Sequence, residues 1–412
     1  MSERTARRVV LALLRRMQEG RLTIVEGDRR IVIGEGAPQA TVVVRSPKVW
    51  PALLRAGTGL AEAYADGWWD SPDLTAVVEL AARNVGGIDE LRHRLSPVRE
   101  PFQRGRALLA RNTPQRARRG IAAHYDLGND LFAAMLDPTM TYSCAVFERR
   151  DTTLEEAQRA KLERICTKLE LGEGDRVLEI GTGWGSFAMH AAATRGCHVT
   201  TTTLSQEQYA LAVDRIADAG LSDRITVLRS DYRELRGTFD KLVSIEMIEA
   251  VGWKDFGTFF EVCARHLEPN GAMALQAITV DDRLYEIEKA SKTFIRKYIF
   301  PDGCLPSVEV IARSVAKHTD LRMVGLEDIT AHYPETLRRW RENFEAGAGV
   351  LAGRYDERFR RLWRLYLCWC EVGFHVRRIS DVQIVLGKPG WRGTVTVADA
   401  HAGTALHGEA AG

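Results

Sequence analysis

The spacing of apolar and polar residues predicts a small α+β unit at the start of the chain. Alternating positions indicate short strands at 23–26, 31–33 and 41–44, and a turn at Gly27-Asp28 joins the first two. A helical pattern at about residues 5–19 precedes these strands. We therefore expect one helix and a small sheet in this segment.

A different rhythm begins near residue 155, where apolar strands alternate with longer helical stretches. The predicted strands are 176–180, 198–202, 225–228, 241–245 and 272–277. Such alternation is typical of a mostly parallel sheet that is covered by helices on both faces. The pattern then adds helices, a long arginine-rich one around 358–369 among them, and a late strand at 382–386.

Length and composition favour two domains. The chain has 412 residues, of which 45% are hydrophobic and 27% are charged, and ordinary domain sizes divide such a chain into two cores. From the breakers and the composition we expect a smaller domain at 1–105, a basic linker at 106–122, a larger domain at 123–390 and a disordered tail at 391–412.

Charge and cysteine content exclude several classes of function. The formal net charge of +2 does not imply a nucleic-acid partner, although arginines cluster at 4–16 and 104–119. Seven cysteines without a Cys-x-x-Cys pair fit free thiols in a reducing compartment, and no metal is expected. The apolar stretch 9–14 is too short to cross a membrane and lacks a cleavage site, so we expect a cytoplasmic protein.

A glycine-rich loop carries the strongest chemical signal. Glu179 is followed by Gly181, Gly183 and Gly185, directly after an apolar strand and directly before the helical run 187–195. Glycines allow sharp turns and close approach of a ligand to the backbone, and a helix N-terminus offers unpaired amides. The Gly-x-Gly-x-Gly spacing favours S-adenosylmethionine over a dinucleotide, whose fingerprint is Gly-x-Gly-x-x-Gly. A strand-to-helix turn without a ligand is the alternative.

Polar residues near this loop suggest further cofactor contacts. In folds of this type Glu179 is placed to receive the cofactor's ammonium group, and Asp231 is placed to bind the adenine amino group. Both acids also fit solvated loop carboxylates. The stretch after the second strand has no acid for the ribose hydroxyls, so Thr203 and Gln208 would serve there.

Several strings resemble the cyclopropane fatty acid synthase family, which includes mycolic acid cyclopropane synthases. They are HYDLGNDLF at 124–132, MTYSCAVF at 140–147, TLSxxQ at 203–208, the glycine- and tryptophan-rich stretch 59–70, and FPxGxLPS at 300–307. The resemblance covers about residues 50–390. It implies a Rossmann-like class I S-adenosylmethionine-dependent methyltransferase with a smaller N-terminal α+β domain that binds lipid.

The resemblance also implies the reaction. The family transfers a methyl group from S-adenosylmethionine to the double bond of an unsaturated phospholipid acyl chain, and the resulting cation must lose a proton. In cyclopropane synthases a bound bicarbonate takes this proton and the ring closes, whereas related enzymes form a methylene branch. We expect a cyclopropane product, with a methylene or methyl branch as the alternative.

Residue roles carry over from the family position by position. At the bicarbonate they are Cys144, Glu249, the main chain of Ile278, and Tyr333, with Gln276 in place of a histidine that many members have. Ala250 likewise replaces a histidine. Tyr142, Ser143 and Tyr232 join the cofactor contacts. If no anion is bound, Tyr142 or His124 would take the proton.

The remaining expectations concern partners. Arginines at 4–16 and 104–119 would attract anionic headgroups, so that the enzyme sits peripherally on the inner face of the membrane, although a solvated face explains such clusters equally well. Tyr142, Tyr298, Phe300 and Tyr333 would shield a cation or merely pack. A small-molecule methyltransferase and a non-catalytic lipid-binding module are the competing functions, and a homodimer is left open.

Overall fold

The structure is a computed structural model that describes residues 1–55, 57–84, 128–291, 293–301 and 303–393. His124, the predicted linker at 106–122, the arginine cluster at 104–119 and most of the predicted tail lie outside these ranges.

The first described segment forms a four-stranded sheet with helices around it. Its strands are β1 (Gly20–Glu26), β2 (Arg29–Glu35), β3 (Gln39–Val44) and β4 (Trp69–Asp70), in the order β2-β1-β3-β4. Its helices are α1 (Glu3–Leu14), α2 (Val49–Leu53), α3 (Gly57–Ala65) and α4 (Leu74–Asn84). The predicted strands and the turn at Gly27 are confirmed. Helix α1 ends earlier than predicted, at Leu14, and the amides of Gln18 and Glu19 donate to Asn84.

The second sheet has seven strands. They are β5 (Arg176–Ile180), β6 (His198–Thr202), β7 (Ile225–Leu228), β8 (Phe239–Ile245), β9 (Leu267–Val280), β10 (Arg322–Asp328) and β11 (Ile379–Gly387), in the order β10-β11-β9-β8-β5-β6-β7. Strands β5 to β9 pair in parallel, and β11 and β10 add antiparallel pairs at one side. The mostly parallel sheet is confirmed. Strand β10 was missed because it is an edge strand whose apolar residues Met323, Val324 and Leu326 remain exposed.

Helices flank this sheet and continue to its C-terminal side. They are α5 (Asn129–Met135), α6 (Leu154–Lys168), α7 (Ser186–Arg195), α8 (Gln206–Asp218), α9 (Phe256–Arg265), α10 (Tyr285–Ala290), α11 (Phe294–Tyr298), α12 (Val308–His318), α13 (Tyr333–Ala346), α14 (Ala348–Leu351) and α15 (Glu357–His375). A capping box of Thr153 and Glu156 fixes the start of α6. None of the helices in the described ranges is long and apolar enough to cross a membrane.

Helix α15 joins the two sheets. Its Arg361 donates to the carbonyls of Tyr64 and Trp69, and its guanidinium lies 4.0 Å from the Tyr64 ring centre. One buried core contains residues of the first sheet together with aromatic residues of α13 and α15. All seven cysteines lie in the described ranges and are free thiols.

Candidate active site

The C-terminal ends of β5, β6 and β8 meet at one edge of the large sheet and border a cavity of about 1130 Å³, counting the space open at its mouth. In open α/β sheets this edge is the usual place for a ligand. The predicted cofactor residues lining the cavity are Tyr142, Ser143, Glu179, Gly181, Gly183, Thr203, Gln208, Asp231 and Tyr232. Gly185 stands behind them as the N-terminal cap of α7.

The glycine loop has the geometry that its sequence predicts. Gly181, Gly183 and Gly185 have φ angles of +106°, +52° and +87°, which side chains other than glycine rarely adopt. A Cβ on Gly181 would lie 3.1 Å from the Met247 side chain, whereas a Cβ on Gly183 would meet no protein atom within 4 Å. The backbone at Gly183 is therefore open to a ligand, as binding of S-adenosylmethionine requires.

Glu179 is a buried acid without a cationic bond. Its carboxylate accepts a 2.6 Å hydrogen bond from Thr201, and the side chain is only 2% exposed. Burial raises the pKa of Glu179 to about 8, against smaller lowering effects of Thr201 and of the Lys161 charge. A ligand ammonium group at this carboxylate would stabilise its ionised form, which suits the predicted role.

The other predicted cofactor residues surround the same cavity. The Thr203 hydroxyl donates to Gln208 at 2.8 Å, and both side chains are buried. Asp231 accepts two bonds from the Arg233 guanidinium, at 2.8 and 2.7 Å, and Tyr232 packs edge-on against Phe259. Contacts of these residues with ribose or adenine stay predictions.

Lys161 is a functional candidate that the sequence analysis missed. The side chain is fully buried, and its ammonium group donates to the Ser143 hydroxyl at 2.7 Å. Burial lowers the pKa of Lys161 to about 8, while the neighbouring carboxyl groups oppose that shift. The signal was present in the sequence, because Lys161 and Gln158 occupy the apolar face of α6 beside Leu154, Leu162 and Ile165.

Glu246 is the second missed residue and lies at the centre of the predicted catalytic group. One carboxylate oxygen accepts the Cys144 amide and the Gln276 side-chain amide, both at 2.8 Å, and the other accepts the Tyr333 hydroxyl at 2.5 Å. Glu246 lines the cavity, whereas Cys144, Glu249, Gln276, Ile278 and Tyr333 are not among its lining residues. The carboxylate thus stands between the predicted catalytic residues and the cavity.

Two further acids lie behind Glu246. The Glu249 carboxylate accepts the Ile278 amide at 2.6 Å, and burial together with the Glu246 charge raises the pKa of Glu249 to about 8. Asp381, a missed residue on β11, is fully buried and accepts the Gln276 side-chain amide at 3.0 Å. Burial and the Glu246 charge raise the pKa of Asp381 well above its ordinary value.

These contacts bear on whether the residues fit the bicarbonate that the family resemblance implies. The donors assigned to bicarbonate are the Cys144 amide, the Gln276 side chain, the Tyr333 hydroxyl and the Ile278 amide, and each already donates to Glu246 or Glu249. The Cys144 thiol is buried and its pKa is raised, so Cys144 contributes its amide to the site. The residues therefore do not fit a bound bicarbonate, because carboxylates of the protein already accept the hydrogen bonds that bicarbonate would accept.

The predicted aromatic residues divide into two groups. Tyr142 lines the cavity, its hydroxyl lies 2.7 Å from that of Tyr366, and Tyr333 stacks on Phe374 at 4.1 Å. Tyr298 instead donates to Glu62 of α3 at 2.9 Å, which gives it a structural role between the two sheets.

Known proteins resemble this chain over most of its length. A family profile described as mycolic acid cyclopropane synthetase matches residues 112–384. Tuberculostearic acid methyltransferase UfaA1 of Mycobacterium tuberculosis is 40% identical over 382 residues, 88% of each chain. The cyclopropane-fatty-acyl-phospholipid synthase of Escherichia coli is 39% identical over 359 residues, 87% of this chain and 90% of that one.

Solved structures show the same fold. Mycolic acid cyclopropane synthase CmaA1, complexed with SAH and CTAB, superposes with a TM-score of 0.62 at 32% identity, over 66% of this chain and 98% of that chain. The cyclopropane synthase MmaA2 from Mycobacterium tuberculosis gives the same values. The likeness confirms the predicted fold, that of a Rossmann-like class I S-adenosylmethionine-dependent methyltransferase.

Proposed function

Because the chain belongs to the mycolic acid cyclopropane synthetase family of S-adenosylmethionine-dependent methyltransferases, we propose that it methylates the double bond of unsaturated acyl chains in membrane phospholipids. One observation carries the proposal. A single cavity is lined both by the open glycine loop and by the half-buried Glu246, which would place a methyl donor and a proton acceptor in one space.

In this proposal the cofactor half of the cavity binds and orients S-adenosylmethionine, which supplies an electrophilic methyl group. Glu179 holds the ammonium group, and the backbone at Gly181 and Gly183 lies against the ligand. Tyr142 and Ser143 form the wall that faces the substrate, and the bond from Lys161 keeps Ser143 in place. The ring face of Tyr142 stabilises positive charge on the alkene carbon.

The proposed product is a cyclopropane ring. A methylene or methyl branch is the second candidate, and the 40% identity to a tuberculostearic acid methyltransferase over 88% of the chain favours considering it. Both products follow from one cation, and they differ in the carbon to which the charge has moved when the proton leaves. The bicarbonate implied by the family resemblance is not part of the proposal, because its donors are bonded to Glu246 and Glu249.

Mass spectrometry of lipids tests the proposal. Cells that express the protein should convert monounsaturated acyl chains into species heavier by one CH2 unit, and cells that express Gly183→Val should not. NMR of the purified lipid then separates ring from branch. Unchanged acyl chains in the presence of folded protein that binds S-adenosylmethionine would reject the lipid substrate and favour a small-molecule methyltransferase.

We further propose that α1 contacts the membrane surface. Its outer face exposes Val9 and Leu13 beside the arginines at 4, 8, 15 and 16, whereas Arg7 is held by an ion pair with Glu26. Apolar residues flanked by cations suit an anionic lipid surface, and each cation there contributes about 1 kcal/mol.

Sedimentation with liposomes tests this surface. Binding to anionic vesicles should weaken as salt rises, because a Debye length of about 8 Å screens the arginines at physiological ionic strength. Replacement of Arg4 and Arg8 by glutamate should weaken binding further, with Arg7→Gln as the matched control for a paired arginine. Equal binding to neutral vesicles would show that the arginines do not face lipid.

A further inference from the structure

The half-buried Glu246 accepts, through its carboxylate, the hydrogen bonds that an anion-binding site would offer to a bound anion. Three donors converge on it from parts of the chain far apart in sequence, the Cys144 amide, the Gln276 amide and the Tyr333 hydroxyl. Charged groups are rarely buried unless their bonds are satisfied. Burial raises the pKa of Glu246, and the bonds from these three donors together with the Lys161 charge oppose that rise and favour the carboxylate form.

The backbone at Glu246 is strained in a way that points to function. Its φ angle is +47°, a left-handed conformation that favours glycine. In the described ranges only Met140, Glu170, Glu246 and Arg377 share this property among residues other than glycine, and Met140 and Glu246 both line the cavity. Non-glycine residues held in this conformation cluster at active sites, where the surrounding structure overdetermines them.

The carboxylate also lies next to the methyl donor's loop. Glu246 directly follows β8, which pairs in parallel with β5, the strand that leads into the glycine loop. The next residue, Met247, packs against Gly181. Glu246 therefore lines the same cavity as the cofactor loop, and the residue is half-buried there.

We propose that Glu246 is the general base of the reaction and that its carboxylate replaces a bound bicarbonate. This inference rests on the proposed function. The alkene π electrons form a bond to the methyl carbon as the S–CH3 bond breaks, which leaves a neutral thioether and a carbocation. Glu246 then takes a proton from the transferred methyl group. The electrons of that C–H bond close the cyclopropane ring or, after a hydride shift, form a methylene double bond.

Other groups in the cluster do not fit this role. Tyr333 donates its own proton to Glu246, which makes it a positioning residue, and its pKa is raised by burial and by the Glu246 charge. Asp381 is not among the residues that line the cavity, and burial raises its pKa well above the ordinary value. Glu249 is directed to the Ile278 amide and is not among the residues that line the cavity.

Two substitutions of Glu246 separate charge from volume. Glu246→Gln keeps the side-chain volume and removes the charge, whereas Glu246→Gly also relieves the positive φ and leaves space beside the three donors. Glu170→Gly is the matched control. Glu170 also has a positive φ, +52°, but it lies in the loop that leads into the N-terminal end of β5. Each protein is assayed on monounsaturated phospholipid vesicles in carbonate-free buffer, and bicarbonate binding is measured by calorimetry.

The wild type should turn over equally with and without bicarbonate and should show no bicarbonate binding. Glu246→Gln should lose about 100-fold or more of kcat, in line with removal of a general base, and should keep its affinity for S-adenosylmethionine. Glu246→Gly should bind bicarbonate or formate and recover activity with either ion, while Glu246→Gln should recover with neither. Glu170→Gly should behave as the wild type.

Two results would overturn the inference. One is bicarbonate binding to the wild type as tight as to Glu246→Gly, and the other is near-full activity of Glu246→Gln. If the wild type transfers no methyl group to lipid, the proposed function fails. The calorimetric comparison then still decides whether the Glu246 carboxylate fills the anion position.

Discussion

Glu179 lies near the end of β5, and Glu246 directly follows the neighbouring strand β8. Both acids line the same cavity, but Glu179 is buried, Glu246 is half-buried, and their surroundings differ. The Glu179 carboxylate has a single hydroxyl bond from Thr201, and burial raises its pKa to about 8. The Glu246 carboxylate has three donors and a strained backbone. The Glu179 carboxylate has no cationic partner until a ligand supplies one. The Glu246 carboxylate already accepts its hydrogen bonds from the protein.

This difference separates binding from chemistry. A site that needs its ligand to satisfy a buried acid gains affinity from that ligand, and a site satisfied in advance holds its group ready for the reaction. Substitutions on the Glu179 side should therefore change cofactor affinity, and substitutions on the Glu246 side should change turnover.

The largest effect is expected for Gly183→Val. A β-branched residue at a φ of +52° is strongly disfavoured, and its side chain would enter the open space beside the loop. Affinity for S-adenosylmethionine should fall by about 100-fold or more, because the valine side chain takes up ligand space and binding must restore a backbone conformation that costs valine about 3 kcal/mol. Isothermal titration calorimetry measures the change.

Gly174→Val is the matched control for Gly183→Val. Gly174 also has a positive φ, +91°, and a Cβ there would meet no atom within 4 Å, but this glycine lies in the turn before β5. This variant should lose stability and keep its cofactor affinity. Equal affinity losses in the two variants would mean that unfolding, and not the loop, causes the effect.

The two sides also differ in how far sequence alone could reveal them. The glycine loop is local, so strand β5, its glycines and Glu179 were predicted within ten residues of one another, and the strand bounds agree with the structure. The Glu246 cluster joins residues from 144 to 381, and only the fold brings them together. The family resemblance supplied Cys144, Glu249, Gln276, Ile278 and Tyr333.

The sequence contains only a weak signal for Glu246. An acid directly after the apolar strand 241–245 stands at the edge where ligands bind, but its positive φ and its three donors cannot be inferred from spacing. Asp381 and Lys161 are similar, since each is a charged residue in an apolar pattern whose partners lie far away in the sequence. Tertiary contacts decide whether such residues are buried.

The second prediction concerns Glu179→Gln, which should lower cofactor affinity by about 10- to 100-fold, as loss of a charged bond does. With a pKa of about 8 the free acid is mostly protonated at pH 7, and an ammonium group at the carboxylate would lower that pKa. Binding should therefore release nearly one proton at pH 7 in the wild type and none from this position in the variant. Calorimetry in buffers of different ionisation enthalpy measures the release.

The same pKa has a consequence for stability. Because the folded state raises the pKa of Glu179, the stability it contributes is fully present below its unfolded value near 4.5 and is lost as pH rises through about 8. The melting temperature of the ligand-free protein should fall over that window, and it should fall less in Glu179→Gln. An equal slope in both proteins would contradict a raised pKa at Glu179.

A smaller effect, on turnover and not on cofactor affinity, is expected for Gln276→Leu, a substitution beside Glu246. It removes one of the three donors to Glu246, so kcat should fall by about 10-fold, the equivalent of one buried hydrogen bond, while cofactor affinity stays unchanged. Gln383→Leu is the matched control, because Gln383 donates to Gln276 at 3.0 Å but does not reach Glu246. A loss of cofactor affinity in Gln276→Leu would break the division between the two sides.

The smallest effect is expected for Thr201→Val, which removes the hydroxyl that donates to Glu179 and keeps the shape of the side chain. Without that donor the pKa of Glu179 should rise above about 8, because the lowering contribution of Thr201 is lost and burial remains. The ammonium group would then bind a carboxylate that is harder to ionise, so affinity at pH 7 should fall by about 2- to 5-fold, the range of a weak hydrogen bond. Proton release on binding should persist to higher pH than in the wild type, which calorimetry across pH 7 to 9 measures. A lowered kcat at saturating cofactor, with the release profile unchanged, would instead show that Thr201 acts on the Glu246 side of the cavity.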